Sequence, residues 1–183
     1  MYITPEMIDH IAVQYGRPKQ ISMTAPVKNS EFEFIKTTQR NKRAHDVTFY
    51  IFNGDKLVVN AKHSYPEGLF RAPSGGLKPG EDFESGIKRE AYEETGVKIE
   101  LEKFLLIIDV NFTTGDRDLK WTSYIFKGRY LSGELKVIDT REIREVRYAD
   151  LSEFEKFKGI IKTLDWGGLS YRARLHNEVL KLL

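Results

Sequence analysis

Seven residues between positions 75 and 97 are arranged as a site for phosphate chemistry would require. They lie in the segment GGLKPGEDFESGIKREAYEETGV and are Gly75, Glu81, Arg89, Glu90, Glu93, Glu94 and Gly96. Carboxylate oxygens are the ligands that a hard divalent cation such as Mg²⁺ prefers. A cation held by these side chains could in turn bind a diphosphate.

The carboxylates must be positioned by a helix, and the local sequence predicts one. The Asp82 side chain can accept hydrogen bonds from the backbone N–H groups of the first turn. Gly96 can adopt the left-handed conformation that ends a helix with little steric cost. On such a helix, Glu90, Glu93 and Glu94 fall within about 100° of one another. The sequence therefore predicts an acidic stripe on one helical face.

The acidic stripe is unfavourable unless a cation or an arginine offsets its charge. Like charges three or four residues apart cost about 0.2–0.5 kcal/mol per pair on an exposed helix. Arg89 lies within reach of Glu93 as an i,i+4 partner, and Ile87 and Ala91 can face the core. The alternative is a solvated, charge-rich surface helix. The full spacing disfavours that alternative, because seven fixed positions match by chance with a probability on the order of 10⁻⁸.

This spacing resembles the Nudix box, and the chain is similar to the Nudix hydrolase family. All seven fixed positions match, and Ala91 and Val97 fill two apolar positions of the box. A looser resemblance extends over residues 44 to 165. The resemblance implies an α/β fold of the Nudix type, an α/β/α sandwich on a mixed β-sheet. It also implies hydrolysis of nucleoside diphosphates linked to another group, with Mg²⁺ or Mn²⁺ as cofactor.

The resemblance assigns roles within the acidic stripe. Glu90 and Glu94 would be metal ligands, and Glu93 would be a further ligand or would polarise the attacking water. Glu81 would bind a second metal ion or pair with Arg89. Arg89 would orient carboxylates rather than touch substrate.

The loop before the helix is implicated by the same resemblance. The backbone carbonyl of Ser74 would ligate metal, and Gly75 and Gly76 would contact substrate. The chain has Pro73-Ser74-Gly75 where the family often has Pro-Gly-Gly, so a positive φ at Ser74 would carry a steric cost. Arg71 could bind a phosphate with its forked donors or form a surface ion pair.

A general base outside the box is expected by the same resemblance, and two glutamates are candidates. Glu142 and Glu145 lie in the run DTREIREVRY, late in the chain. Glu142 is favoured because it directly precedes the predicted strand 143–148. The alternative is that both glutamates are exposed charges that face neighbouring arginines.

Composition agrees with a small enzyme. The chain has 183 residues, a formal charge of +2, 40% hydrophobic residues and no cysteine. These values predict one domain with an appendage, and they exclude disulfides, thiol catalysis and zinc–thiolate sites. We expect a cytoplasmic protein, because neither a secretory signal nor a membrane span is apparent. The small charge argues against nucleic acid as partner, and the four histidines lack metal-ligand spacing.

The first 43 residues have no counterpart in the resemblance. A helix should begin at Thr4-Pro5 and end at Gly16. Residues 18–30 look irregular, and Glu31–Thr37 alternates as a half-buried strand would. Thr38–Arg43 is a polar break. We expect residues 1–43 to form an extension that packs on the main domain or on a second subunit. Because an N-terminal segment of this kind exchanges between subunits in some Nudix hydrolases, the resemblance also implies a homodimer.

Residues 44–183 should form the Nudix domain with C-terminal helices. The predicted strands are Val47–Phe52, Lys56–Ala61, Leu69–Ala72, Ile99–Phe112, Leu119–Leu131 and Ile143–Tyr148. Asn53-Gly54-Asp55 marks a hairpin. The apolar spacing of Leu151–Leu164 predicts an amphipathic helix, and a last helix should cover Ser170–Leu182. Helices before, within and after these strands favour an α/β sandwich.

The functional hypothesis is a metal-dependent hydrolase that splits a phosphoanhydride bond in a nucleoside diphosphate derivative. One alternative is a non-catalytic Nudix-like module that senses a nucleotide. Another is an RNA 5′-pyrophosphohydrolase, which the near-neutral charge disfavours. Several aromatic residues could stack on a base or belong to the core, namely Tyr65, Phe70, Trp121 and Tyr124. The sequence does not identify the leaving group.

Overall fold

A computed structural model describes residues 3–39 and 43–183 of the chain. Within these ranges the chain forms five helices and seven strands. The helices are α1 (Pro5–Tyr15), α2 (Asn29–Thr38), α3 (Phe83–Thr95), α4 (Glu153–Thr163) and α5 (Gly167–Leu180). The strands are β1 (Lys19–Pro26), β2 (His45–Asn53), β3 (Lys56–Lys62), β4 (Ser74–Gly75), β5 (Val97–Thr114), β6 (Arg117–Gly133) and β7 (Ile143–Asp150). Residues 40–42 of the predicted polar break lie outside the described residues.

The seven strands form one mixed sheet. Six follow the order β1-β5-β6-β2-β3-β7, and the short β4 pairs with β2. The pairs β1–β5 and β2–β6 are parallel, and the other pairs are antiparallel. Strand β2 is buried along nearly its whole length, as expected for a strand that is covered on both faces.

Helices cover both faces of the sheet. On one face, α1 and α3 bury Ile11, Phe83, Ile87 and Ala91 against the strands. On the other face, apolar residues of α2, α4 and α5 form a second core, among them Phe32, Phe154, Phe157, Leu169, Tyr171, Leu175 and Val179. The predicted α/β/α sandwich on a mixed sheet is therefore confirmed. No helix in the described part of the chain has the length and hydropathy to cross a bilayer.

Elements with strong local signals begin and end close to where the sequence places them. The Thr4 hydroxyl accepts a hydrogen bond from the backbone N–H of Met7 (3.3 Å), and Gly16 follows α1 with a φ of 89°. The hairpin at Asn53–Lys56 joins β2 to β3. The predicted strand at Leu69–Ala72 is wrong, because only Arg71 of that segment pairs, through an isolated bridge to Asn60.

Two predictions for the N-terminal segment are wrong. Residues Lys19–Pro26 form strand β1, not irregular structure, and Glu31–Thr37 belongs to helix α2, not to a strand. In β1, the inward side chains of Ile21, Met23 and Ala25 alternate along the strand. Helix α2 begins where the Glu31 carboxylate accepts from the backbone N–H of Lys28 (3.1 Å). Pairing with β5 stabilises β1 as a strand, and packing against the sheet stabilises α2 as a helix.

The N-terminal segment is joined to the C-terminal helix. The Glu31 carboxylate accepts hydrogen bonds from the backbone N–H groups of Gly167 (3.1 Å) and Gly168 (2.9 Å). These N–H groups belong to the first turn of α5 and have no partner within their own helix. Glu31 therefore caps α5, and β1 lies in the same sheet as the later strands. The domain boundary at residue 43 stays a prediction.

Candidate active site

Helix α3 holds the acidic stripe as the sequence predicts. The Asp82 carboxylate accepts from the backbone N–H of Ser85 (2.9 Å), and Gly96 ends the helix in a left-handed conformation with a φ of 75°. Ile87 and Ala91 are fully buried against the sheet. This anchored apolar face fixes the rotation of the helix and directs the carboxylates toward the loop that follows β4.

Arg89 joins three of the four carboxylates. Its guanidinium forms a two-pronged ion pair with Glu81, with Nε–Oε1 at 2.8 Å and Nη2–Oε2 at 2.7 Å. The Nη1 atom donates to Glu90 (2.7 Å) and to Glu93 (3.0 Å). The Nη2 atom also donates to the carbonyl of Gly76 (3.1 Å). These bonds lower the pKa of Glu81 and raise that of Arg89.

Glu94 is the buried carboxylate of the site, with only 3% of its surface exposed. Its Oε2 accepts from Asn60 Nδ2 (2.7 Å) and from the backbone N–H of Ser74 (3.0 Å). Its Oε1 is buried and has no partner among the described residues. Burial raises the pKa of Glu94 to about 7, although the charges of Arg71 and Lys62 act in the opposite direction.

Position 75 has room only for glycine. A Cβ at this position would overlap with the carboxylate of Glu90, whereas the φ of Gly75 lies outside the left-handed region. Glu90 is largely desolvated by this close approach, and burial raises its pKa despite the neighbouring Arg89. A steric cost at Ser74 does not arise, because Ser74 lies in β4 and pairs with Thr48 in extended conformation.

The donor set of this site fits a hard divalent cation. It offers the carboxylates of Glu81, Glu90, Glu93 and Glu94, which are all oxygen ligands. Across the described residues, no three acidic, histidine or cysteine side chains already converge as a cation site. The guanidinium of Arg89 lies between two of the carboxylates, since its Nη1 donates to both Glu90 and Glu93. The partnerless Oε1 of Glu94 supplies a buried acceptor that a cation would satisfy.

Arg71 is buried next to the carboxylates, with 9% of its surface exposed. Its Nη1 donates to the Ser74 hydroxyl, and its Nε is buried without a partner. The alternative of a surface ion pair is therefore wrong for Arg71. Its predicted contact with a phosphate remains open.

Glu142 lies directly before β7, as the sequence predicts. It is not among the carboxylates that pair with Arg89. Its carboxylate pairs with Lys62 (3.0 Å) and is about half exposed. The loop that carries it reaches α3, because the backbone N–H of Asp139 donates to the carbonyl of Glu93 (2.8 Å). Glu145 is exposed and lies in β7 opposite Ala61. The role of either glutamate as a base stays a prediction.

Sequence reasoning missed Asn60, the side chain that fixes Glu94. The only available signal was a polar residue within the apolar run Leu57–Ala61 of β3. Three of the aromatic residues considered for base stacking, Phe70, Trp121 and Tyr124, are buried in the two cores. Trp121 also donates its Nε1–H to Asp46 (2.6 Å).

Comparisons with known proteins point to one family. The family model described as the NUDIX domain matches residues 42–166. The chain is 32% identical over 85 residues to diphosphoinositol polyphosphate phosphohydrolase 3-alpha of Mus musculus, covering 46% of this chain and 48% of that protein. It is 36% identical over 47 residues to the NAD-capped RNA hydrolase NUDT12 of Homo sapiens, covering 26% of this chain and 10% of that protein. The chain thus spans about half or less of the length of these curated relatives.

A solved structure shows the same fold. A NUDIX hydrolase from Nitrosomonas europaea superposes with a TM-score of 0.51 and 21% sequence identity. The match covers 65% of this chain and 80% of that one.

Proposed function

The chain belongs to the NUDIX family, and from that premise we propose that it is a metal-dependent hydrolase of a phosphoanhydride bond in a nucleoside diphosphate linked to another group. The observation that carries the proposal is the carboxylate set of α3. Glu94 is buried with a partnerless Oε1, and Glu81, Glu90 and Glu93 converge on one guanidinium. Burial makes the ionised forms of Glu90 and Glu94 costly in the absence of a cation, which is typical of a functional site.

The side chains of the site have distinct tasks in this reaction. A bound Mg²⁺ or Mn²⁺ would neutralise diphosphate charge and acidify the attacking water. Glu90 and Glu94 would hold the cation, with Glu81 and the carbonyl of Ser74 as further donors. Glu93 is the most exposed carboxylate of the four, so it is suited to orient the water.

The remaining steps concern the proton and the substrate. The water oxygen bonds to one phosphorus atom, the bridging P–O bond breaks, and two phosphate monoesters leave. Glu142, the favoured base, would take the proton of the water. Arg71, Gly75 and Gly76 would contact the phosphates, and Arg89 is a positioning residue that orients the carboxylates.

A metal-supplemented activity screen tests the proposal. Purified protein with Mg²⁺ is incubated with nucleotide sugars, dinucleotides, nucleoside triphosphates and oxidised triphosphates, and chromatography detects the products. We also include a diphosphoinositol polyphosphate and NAD-capped RNA, because two relatives are a diphosphoinositol polyphosphate phosphohydrolase and an NAD-capped RNA hydrolase. We expect release of a nucleoside monophosphate from at least one compound.

Substitution of Glu94 tests the assigned site. Glu94→Gln should lower turnover by about two or more orders of magnitude, because one metal ligand loses its charge. The matched control is Glu100→Gln, an exposed glutamate of β5 that pairs with Arg129. Circular dichroism should show an intact fold in both variants. Full turnover by Glu94→Gln would show that the assigned roles are wrong.

The sensing module is the alternative that the same experiments separate. Calorimetry that shows tight nucleotide binding, together with no product from any compound, would favour a non-catalytic module. Product release only from capped or triphosphorylated RNA would favour the RNA 5′-pyrophosphohydrolase.

The homodimer predicted through residues 1–43 also stays a proposal. Two observations support it: β1 is an edge strand of the sheet, and Val13 and Phe34 are exposed apolar residues of α1 and α2. Light scattering of the purified protein, with Phe34→Asp as the comparison, would show whether a dimer forms and depends on this surface.

A further inference from the structure

A cavity of about 30 Å³ lies between the sheet and the two C-terminal helices. Its walls are mainly apolar and include the aromatic side chains of Tyr50, Phe154 and Phe157. Five polar residues also line it, namely Thr48, Arg71, Lys158, Arg172 and His176. A cavity of this size has room for roughly two water molecules or one small polar group.

The hydrogen bond between His176 and Tyr50 favours one tautomer of the His176 ring. His176 Nδ1 lies 3.0 Å from the hydroxyl oxygen of Tyr50, and Tyr50 is buried. In the described part of the chain, the Tyr50 hydroxyl has no other hydrogen-bond partner. A buried hydroxyl donates its proton where it can, so Tyr50 donates and Nδ1 accepts.

His176 therefore presents a donor without an acceptor. In the neutral ring, the remaining proton is on Nε2, which is buried and has no partner among the described residues. The ring is neutral near pH 7, because burial and, to a smaller extent, the charge of Lys158 lower the pKa of His176 to about 4. Only 4% of the surface of His176 is exposed.

Arg71 adds a second unsatisfied donor to the same cavity. Its Nε–H is buried without an acceptor, and an arginine has no acceptor atom of its own. Since both orphaned groups are donors, the cavity is suited to an acceptor and unsuited to a cation or an ammonium group.

The charges around the cavity favour an anion over a neutral acceptor. Lys158 pairs with Glu155 (2.5 Å), and Arg172 pairs with the buried Asp46 (2.8 Å). Two of the three cations are paired with carboxylates, whereas Arg71 forms no ion pair within 4.0 Å in the described residues and acts on Glu94 only through its charge.

We propose that this cavity binds an anionic group, a phosphate or a carboxylate, on the part of the substrate that lies beyond the cleaved diphosphate. The assignment rests on the proposed function for the link to a diphosphate. Arg71 connects the cavity to the carboxylate site. It lines the cavity and donates to the Ser74 hydroxyl, and the backbone N–H of Ser74 donates to Glu94. The substrate class is then a diphosphate compound with a further anionic substituent.

Binding of inorganic phosphate without metal tests the cavity independently of turnover. The whole protein, with nitrogen-15 in its histidines, is titrated with phosphate in the presence of a chelator, and sodium chloride of equal ionic strength is the control. The Nε2 resonance of His176, identified by its loss in His176→Gln, should shift and saturate. The exposed His10 and His63 should not respond.

Two lysines of α4 form a matched pair for this titration. Lys158→Met should weaken phosphate binding by about tenfold, as expected when one charge-assisted contact is lost. Lys156→Met, on the exposed side of the same helix, should leave it unchanged. No phosphate-specific shift at His176, or equal weakening by the two substitutions, would overturn the proposal.

Paired substrates test whether the anion belongs to the substrate. We compare kcat/KM for NADP⁺ with NAD⁺, and for coenzyme A with dephospho-coenzyme A, in the presence of Mg²⁺. The phosphorylated member of at least one pair should be preferred by about tenfold, and Lys158→Met should abolish the preference while Lys156→Met retains it.

The two experiments separate failure of this proposal from failure of the hydrolase assignment. Equal kcat/KM values within both pairs, with phosphate binding intact, would overturn the assignment to substrate and identify a site for free phosphate. Absence of turnover with every compound would count against the hydrolase, whereas the phosphate titration would still decide whether the cavity binds an anion.

Discussion

At the residue scale, the site is a balance between four carboxylates and the guanidinium of Arg89. The pairing of Arg89 with Glu93 could be predicted from sequence, because i,i+4 neighbours on a helix always lie close together. The burial of Glu94 could not, because Asn60 and Ser74 reach it across 34 and 20 residues of sequence. Such contacts depend on how β3 and β4 pack against α3.

Replacing Arg89 with lysine should destabilise the protein although the charge is kept. One ammonium group cannot reproduce the forked bonds to Glu81 together with those to Glu90 and Glu93. Leaving partly buried carboxylates unpaired should lower the free energy of unfolding by about 2–4 kcal/mol, as measured with urea.

Arg141 is the control for this substitution. It also forms a two-pronged ion pair, with Asp139, but its side chain is 91% exposed. Arg141→Lys should change stability by less than about 1 kcal/mol. Similar losses for the two variants would show that the Arg89 contacts are energetically ordinary surface pairs.

At the element scale, the site depends on how closely the loop after β4 approaches α3. The start and end of α3 could be predicted, because Asp82 and Gly96 are local signals. Helix α2 could not, because its sequence also alternates as a strand would, and packing against the sheet decides its form. The alternation of Ile21, Met23 and Ala25 was the available signal for β1.

Adding a methyl group at Gly75 should disrupt the site without unfolding the chain. Gly75→Ala places a Cβ where the Glu90 carboxylate lies, so Glu90 must move away from Arg89. We expect a loss of turnover of about tenfold or more, because a small misplacement of a reacting group is costly. Steady-state kinetics at saturating Mg²⁺ would measure it.

Gly159→Ala in α4 is the control for Gly75→Ala. Gly159 lies on the exposed side of α4, and an added Cβ would meet open space. This substitution should retain full turnover and raise stability by roughly 0.5–1 kcal/mol, the usual difference between alanine and glycine in a helix. Unchanged kinetics in Gly75→Ala would refute the steric role assigned to that glycine.

At the scale of the whole molecule, two carboxylates of the site, Glu90 and Glu94, work against folding when they are ionised. Burial raises the pKa of both Glu90 and Glu94, so their charged forms are less favourable in the folded state than in the unfolded chain. Other carboxylates act in the opposite sense, since their ion pairs and helix caps lower the pKa of Glu81 and Asp82. A difference between two variants isolates the contribution of one group.

The stability of the wild type relative to Glu94→Gln should fall as pH rises from 4.5 to above 7. The pKa of Glu94 is ordinarily 4.5 and about 7 in the folded state. Between these values the folded state binds more protons, so the free energy of unfolding decreases with pH. The expected decrease is about 3 kcal/mol, measured by urea unfolding with a chelator present.

Mg²⁺ should reverse this trend, because a cation binds the ionised carboxylate. The melting temperature of the wild type should rise with added Mg²⁺ more at pH 8 than at pH 5.5. Glu94→Gln should show little response at either pH. A pH-independent difference between the variants, or an equal response of both to Mg²⁺, would contradict the assignment of Glu94 as a ligand.

The contact of Glu31 with the first turn of α5 has a practical consequence for work with the gene. Both partners fall outside residues 42–166, the segment that the family shares. A version trimmed to that segment would lose the strand that covers the edge of β5 and a helix that supplies Leu169, Tyr171 and Leu175 to one core. The uncovered apolar surface would promote precipitation during expression, so a recombinant product should keep both termini.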